Sequence, residues 1–226
     1  MKYVKFLLVL VVLAACGDED KDDMGTVGLA LDHSIGGHAL SFDQVQYANA
    51  AGNAYGVSNL EYIITRIHLE QADGSRFMLA PQHYRNAAHN NTRFVLNERV
   101  PAGTYTALTF TFGSGAAAGG LPNETTFANM AWPEPLGGGY HYMKFEGLFD
   151  GDEGQSAFAL HTGPSGGADF TFDVVVSFNL TVDGDAWKIA LNMDLNEWLA
   201  HPNTYDFADF GGIMGNTNAQ DTVKAN

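Results

Sequence analysis

Hydrophobic and polar residues alternate along most of the chain after Thr26, and this period of two is typical of half-buried β-strands. The segments 27–33 and 60–69 show the alternation most clearly. Within the second segment the phase changes between Ile64 and Ile67, as it does at a β-bulge. Further strands are predicted at 105–112, 140–149, 157–161, 170–182 and 187–195.

Short turn sequences that contain Gly and Asp separate the predicted strands, for example at 73–74, 150–151 and 183–184. Many short strands of this kind predict an all-β fold, namely an antiparallel β-sandwich of two sheets with Ig-like or cupredoxin-like architecture. Helix is expected only in short pieces, such as one around 195–200 that Pro202 would end. With 226 residues, the chain is expected to form one such domain.

Two irregular loops interrupt the pattern, and they are where we expect the chemistry. The first, 113–139, contains Met130 and Trp132, and the second, 163–167, follows a strand that ends at His161. Loops as long as 113–139 are uncommon in compact domains and are often functional.

The N-terminus predicts export and lipid attachment. Two lysines precede the apolar run 6–13, which is too short to span a bilayer, and we therefore predict a signal peptide at 1–15. The sequence Leu-Ala-Ala-Cys at 13–16 resembles a bacterial lipobox, in which Cys16 becomes the first mature residue and carries the lipid. This predicts an outer-membrane lipoprotein that faces the periplasm or the cell surface, with the membrane contacted through the lipid anchor only.

The charge balance narrows the possible partners. The chain has 26 acidic and 11 basic residues, a formal net charge of −15, and removal of residues 1–15 would leave 9 bases and a charge of −17. Such acidity argues against nucleic-acid binding, which needs clustered Lys and Arg. The acidic run 18–23 predicts a solvated tether over 16–25, which places the domain at 26–226. Since Cys16 is the one cysteine, the mature domain has no thiolate site.

No catalytic motif fits the predicted strands. Residues 163–167 match G-x-S-x-G, but the nucleophile elbow requires a helix after the serine, and a strand is predicted there. No nucleophile, base and orienting group stand at a recognisable spacing, so a non-catalytic protein is predicted. Of the eight histidines, His33 and His161 end strands near the loop of Met130 and Trp132, which favours a soft ion such as copper. A buried histidine without any metal is the alternative at each position.

Six short segments also follow one another in a fixed order. They are Leu29–His33, Tyr47–Ile64, Val100–Tyr105, Met130–Trp132, Gly139–Gly147 and His161–Gly163. Together these segments resemble the MbnP-like domain family of bacterial periplasmic proteins and lipoproteins, named for a methanobactin-associated copper protein. The resemblance covers nearly all of residues 26–200 and implies a β-sandwich that handles copper.

The resemblance also implies a ligand set and a partner. In related proteins a partner di-haem enzyme of the MauG or cytochrome c peroxidase type oxidises a Trp to kynurenine, and His residues help to bind copper. By position, Trp132 would be the oxidised residue, with His33 and His161 as imidazole ligands. Met130 would be a possible soft donor, and His141 a lower-ranked one, because the family motif does not call for a histidine there. Opening the indole would supply an aniline nitrogen, a donor that Trp lacks.

Two functions follow from these observations. The first is a lipid-anchored copper-binding protein for sequestration or delivery, and the second is a metal-free surface β-sandwich that binds a glycan or a protein through aromatic residues.

Two observations limit the predicted copper site. Glu134 stands where some kynurenine-bearing relatives have His, and an unmodified Trp132 that anchors the loop by packing is the alternative to oxidation of Trp132. Because His–metal bonds are about 2 Å long, His33 and His161 can share an ion only if they lie within about 10 Å of each other.

Overall fold

The computed structural model describes residues 6–13, 24–114, 125–210 and 212–226, and most of these lie in β-strands. The strands form two sheets with a common apolar core between them, so the predicted all-β sandwich is confirmed. The elements are β1 (Phe6–Leu13), β2 (Met24–Ile35), β3 (His38–Ala39), β4 (Tyr47–Ala48), β5 (Ala54–Gln71), β6 (Arg76–Asn86), β7 (Phe94–Pro101), β8 (Gly103–Phe112), β9 (Met143–Gly151), β10 (Gly154–Thr162), β11 (Phe172–Val182), β12 (Ala186–Asp194) and α1 (Thr217–Ala225).

The two sheets differ in size. The smaller one has five strands in the order β1-β12-β2-β3, with β7 also paired to β2, and the larger one has seven, in the order β10-β9-β5-β8-β11, with β4 and β6 also paired to β5. The described strand pairs are antiparallel except β2 with β12, which run parallel. The predicted antiparallel sandwich therefore contains one parallel pair among its described strands. The turn 183–185 carries the chain from one sheet to the other, so no hairpin within one sheet fixes the direction of β12.

The longest strand, β5, contains the predicted bulge. Its pairing with β8 changes register between Thr65 and His68, and Arg66 between them has a φ of 53°. On the N-terminal side of the bulge, Leu60, Tyr62 and Ile64 are buried in the core. The bulge lets one long strand keep apolar residues on the inner face while it bends.

The described N-terminal residues belong to the smaller sheet. Strand β1 lies within the predicted signal peptide 1–15 and pairs antiparallel with β12 along its whole length. Cys16 and the acidic run 18–23 lie outside the described residues. Strand β2 begins at Met24, inside the predicted tether 16–25. Within the described ranges, no helix combines the length and the apolarity needed to cross a membrane.

Helical structure is short, as expected, but one helix was not predicted. Residues Leu195–Leu199 form a 3₁₀-helix at the predicted place. Two more 3₁₀ turns, Thr125–Met130 and Glu134–Leu136, lie in the first irregular loop. Helix α1 was missed; the side chain of Asn216 caps its N-terminus by accepting a hydrogen bond from the Ala219 amide.

Candidate functional site

The alternation of side chains along β10 determines where His161 points. Leu160 and Thr162 are buried, and they pair with Phe145 and Met143 of β9, which face the core between the sheets. His161 pairs with Lys144 and therefore projects from the opposite, outer face of the seven-stranded sheet.

The end of the first irregular loop brings two more rings to this outer face. The loop folds back on itself, because the Trp132 amide donates to the Gly139 carbonyl at 2.9 Å and the His141 amide donates to the Met130 carbonyl at 2.6 Å. The next amide, that of Tyr142, donates to the Thr162 carbonyl at 2.7 Å. These bonds hold the loop beside the end of β10.

Trp132, His141 and His161 form what we call the outer-face cluster. The ring centroids of Trp132 and His141 are 4.7 Å apart, and those of His141 and His161 are 5.0 Å apart, both in edge-to-face geometry. Trp132 is 2% exposed and His141 5% exposed. A Cβ on Gly163 would lie 2.4 Å from the indole, so the glycine after the strand makes room for Trp132.

The nitrogens of His141 differ in their surroundings. Nδ1 lies 3.2 Å from the Met130 carbonyl oxygen, whereas Nε2 is buried and has no hydrogen-bond partner among the described residues. Burial, and then the nearby His161 and Lys144, lower the pKa of His141 to about 4. Nδ1 therefore donates to the carbonyl, and Nε2 carries a lone pair on a neutral imidazole, the form that binds metals. The indole Nε1 of Trp132 is also buried, and no described residue forms a hydrogen bond with it.

A carboxylate fixes the orientation of His161. Its Nε2 lies 2.5 Å from Oε1 of Glu146, and Asn59 donates to the other oxygen at 3.1 Å. The hydrogen bond from His161, with help from Asn59, lowers the pKa of Glu146. Glu146 was not among the predicted site residues, although it stands in the segment Gly139–Gly147 that carries the family resemblance. Period-two alternation on β9 places Glu146 on the same face as Lys144, but its contact with His161 depends on a register that the sequence does not state.

Met130 approaches the cluster through its backbone. Its side chain is fully buried against Ile63 and Phe127, in a small apolar group of its own. Its carbonyl oxygen receives hydrogen bonds from the amide and the ring of His141. The structure therefore places Met130 next to the cluster as a residue that positions His141.

The structure does not bring His33 to the cluster. Its Nε2 lies 3.0 Å from the hydroxyl of Tyr62, in the core between the sheets. Tyr62 pairs with Met143, which pairs with Thr162, so all three side chains lie on the inner face. The seven-stranded sheet therefore separates His33 from the outward-pointing His161. Burial, and then the charge of Arg85, lower the pKa of His33 to about 3, which is typical of a neutral histidine of the core.

Within the described part of the chain, no three side chains of the His, Cys, Asp and Glu types lie close enough together to hold a metal ion. The outer-face cluster offers two imidazoles, one of them already bonded to Glu146. A complete metal site here therefore needs a donor of another type.

Comparisons with known proteins agree with the predicted resemblance. The sequence model of the MbnP family matches residues 24–218. The structure of MbnP from Methylosinus trichosporium superposes with a TM-score of 0.54, covering 78% of this chain and 77% of that one at 14% identity, which shows a shared fold. A comparison with curated proteins gives no match. Because the family match spans most of the sequence, the chain belongs to the MbnP family.

Proposed function

We propose that this protein binds copper at the outer-face cluster and sequesters or delivers it. The observation that carries the proposal is the buried Nε2 of His141, which has no partner among the described residues and lies in ring contact with His161 and Trp132. A buried polar nitrogen without a partner costs about 1–3 kcal/mol, so a bound ion would stabilise this place in the fold. Membership of the MbnP family supports the choice of copper.

Two imidazoles form the core of the proposed ligand set. His141 would bind through Nε2, and His161 through Nδ1, since Glu146 contacts its Nε2. Imidazole is a ligand that suits copper, and a carboxylate on the far nitrogen fixes the ring and raises its basicity. His33 is not in this set because the seven-stranded sheet lies between it and His161.

The third donor would come from Trp132. A di-haem partner enzyme would oxidise the indole with two molecules of hydrogen peroxide. Each peroxide would deliver one oxygen atom, one to C2 and one to C3, and be reduced to water as the C2–C3 bond breaks to give N-formylkynurenine. Hydrolysis would then release C2 as formate and leave kynurenine, whose aryl amine would be the third donor. Because Trp132 is 2% exposed, the enzyme cannot touch the ring in this conformation, and the electrons would leave through the intervening protein.

The same proposal includes where the protein works. We propose that cleavage before Cys16 and lipidation of its thiol anchor the domain to the outer membrane, with residues 16–25 as the tether. The sequence pattern at residues 1–16 supports this location. We also propose that the chain binds and transfers the ion without catalysing a reaction.

Copper titration tests the site directly. The purified chain, made in cells with and without a di-haem enzyme, is titrated with Cu(I) and Cu(II), and the peptide containing residue 132 is analysed by mass spectrometry. We expect stoichiometric binding that is weakened at least tenfold by His141→Ala and His161→Ala, with kynurenine at position 132 only when the enzyme is present.

His33→Ala is the matched control, because it also removes a buried imidazole but on the inner face. It should leave copper affinity unchanged. Absence of binding in both oxidation states, or an equal loss in His33→Ala, would overturn the proposed site.

The structure offers little to the alternative of glycan binding. Of the large hydrophobic side chains that the structure describes, Phe94 is the one aromatic with more than a third of its surface exposed. Glycan-binding surfaces of the predicted kind would need several exposed rings, and the indole of Trp132 is buried.

A further inference from the structure

A second candidate site lies on the side of the molecule where His33 is found. It is a groove of about 700 Å³ lined by residues of β2, β3, β6 and β12 and by the segments that follow β3 and β6. Its volume falls within the range of about 300–1,000 Å³ that is usual for small-molecule sites. Nothing in the proposed copper chemistry uses this groove.

The charge of the groove is opposite to that of the protein. Three of the eleven basic side chains line it, namely Arg85, Arg93 and Lys188, and Asp32 is the one acid in its lining. The chain as a whole carries a formal charge of −15. An excess of positive charge at one place on so acidic a protein favours a negatively charged ligand.

Arg85 carries a buried charge that no described carboxylate neutralises by a close ion pair. It is 3% exposed, and its Nε donates to the Leu31 carbonyl at 3.2 Å. Its Nη1 donates to the His89 carbonyl and the Thr92 hydroxyl at 2.9 Å each, and also to the Asn86 carbonyl. These acceptors are neutral, so they bind the N–H groups of Nε and Nη1 but leave the charge in place. Burying a charge without a counter-ion is costly, and an anion in the groove would offset that cost.

The other two bases are held at the groove by one aromatic ring. Arg93 and Lys188 lie over Phe94, at 5.0 Å and 5.1 Å from its centroid. Lys188 can reach Phe94 across β2 because it pairs with Gly28, which has no side chain to block it. The guanidinium of Arg93 also donates to both carboxylate oxygens of Asp32, at 2.5 Å and 2.6 Å.

We infer that this groove binds an organic anion, with a carboxylate or phosphate group beside Arg85 and Lys188. Guanidinium and ammonium groups recognise both anions through charge-assisted hydrogen bonds. Leu40, Phe42 and Ala190 also line the groove and offer an apolar surface to the body of such a ligand. The inference is independent of copper, because it uses none of the residues of the outer-face cluster.

The probes are phenylacetate, phenyl phosphate, their neutral analogue phenylacetamide, and inorganic phosphate, each titrated into the purified chain. Backbone amide shifts in the NMR spectrum report where each binds. We expect the two aromatic anions to shift amides at 32–34 and 188–192, and the tighter of the two identifies the headgroup. The inference is wrong if phenylacetamide binds as tightly as the anions. It is also wrong if inorganic phosphate binds as tightly as phenyl phosphate.

Two substitutions with opposite expected signs separate a binding role from a structural one. Lys188→Gln should weaken anion binding by about two- to fivefold, the effect of one partly exposed charge. Asp32→Asn removes the competing acid and should tighten binding by a similar factor. Arg99→Gln is the control matched in charge, since Arg99 is exposed and does not line the groove, and it should change nothing. Equal weakening by Lys188→Gln and Arg99→Gln, or weakening by Asp32→Asn, would refute the site.

Discussion

His33 and His141 are both buried and both neutral at neutral pH, yet their surroundings differ in one decisive way. His33 shares a hydrogen bond with Tyr62 in the core, whereas Nε2 of His141 has no partner among the described residues. Burial lowers the pKa of both, to about 3 and about 4 respectively. Burial and a lowered pKa therefore do not distinguish a structural histidine from a candidate ligand. A buried ring nitrogen without a hydrogen-bond partner distinguishes the two.

The difference arises from how each residue is positioned. His33 lies in β2, whose alternation turns it to the inner face together with Leu29 and Leu31. His141 lies outside a regular strand, just after the first irregular loop. Hydrogen bonds from its amide and its ring to the Met130 carbonyl hold it against Trp132. The core therefore provides a hydrogen-bond partner for His33, whereas the residues around His141 enclose its ring without a partner for Nε2 among the described residues.

The largest expected effect tests whether the outer-face cluster is packed as tightly as the core. Trp132→Ala should lower the free energy of unfolding by about 3–5 kcal/mol, as truncation of a fully buried aromatic does. Denaturant unfolding measures the change. Trp187→Ala is the matched control; because that indole is half-buried, it should cost clearly less. Equal decreases in the free energy of unfolding for the two variants would mean that Trp132 is no better packed than a half-buried side chain of the surface.

The next largest effect tests, through the pH dependence of the free energy of unfolding, whether His33 is a buried core residue. An unfolded histidine titrates near 6.5, and the folded pKa of His33 is about 3, so between these values the unfolded chain binds more protons. The free energy of unfolding should therefore fall as the pH drops below about 6.5, and His33 should account for about 2 kcal/mol of the loss by pH 5. His33→Gln should reduce the pH dependence by that amount. An unchanged pH dependence would show that His33 is accessible to protons in the fold.

The smallest effect compares two buried tyrosine hydroxyls. Tyr62→Phe removes the partner of His33 Nε2 and should cost about 1 kcal/mol. The hydroxyl of Tyr205 is buried and has no partner among the described residues, so Tyr205→Phe should be neutral or stabilising. Thermal unfolding of the two variants provides the measurement. Equal effects would contradict the claim that the hydrogen bond, and not the loss of an oxygen atom, matters at His33.

Much of the fold follows from local patterns. Period-two alternation predicted the strands and the sandwich, the phase change between Ile64 and Ile67 predicted the bulge, and the short helical piece before Pro202 was placed correctly. Helix α1 was missed because it is short and buries few residues, so its apolar spacing is weak. The parallel pairing of β2 with β12 was missed because alternation within a strand carries no information about which strand lies next to it.

The candidate site shows the same division. Loop length and residue type drew attention to Trp132, His161 and Met130, whereas His141 ranked lower because the family motif does not call for a histidine there. The prediction that His33 and His161 are ligands of one ion assumed that the ends of their strands lie together. The two side chains instead lie on opposite sides of the seven-stranded sheet. Glu146 was not chosen, because its contact with His161 runs diagonally between two strands whose register the sequence does not state.

By itself, the sequence determined the strand pattern, the acidic charge and the family, because each of these depends on residues that are near one another or on their order. The tertiary structure decided which histidines meet, which nitrogen lacks a partner and where three of the eleven bases gather. These outcomes depend on the register and facing of strands far apart in the chain. Since a shift of one residue turns every side chain of a strand to the other face, only the assembled sheets could decide them.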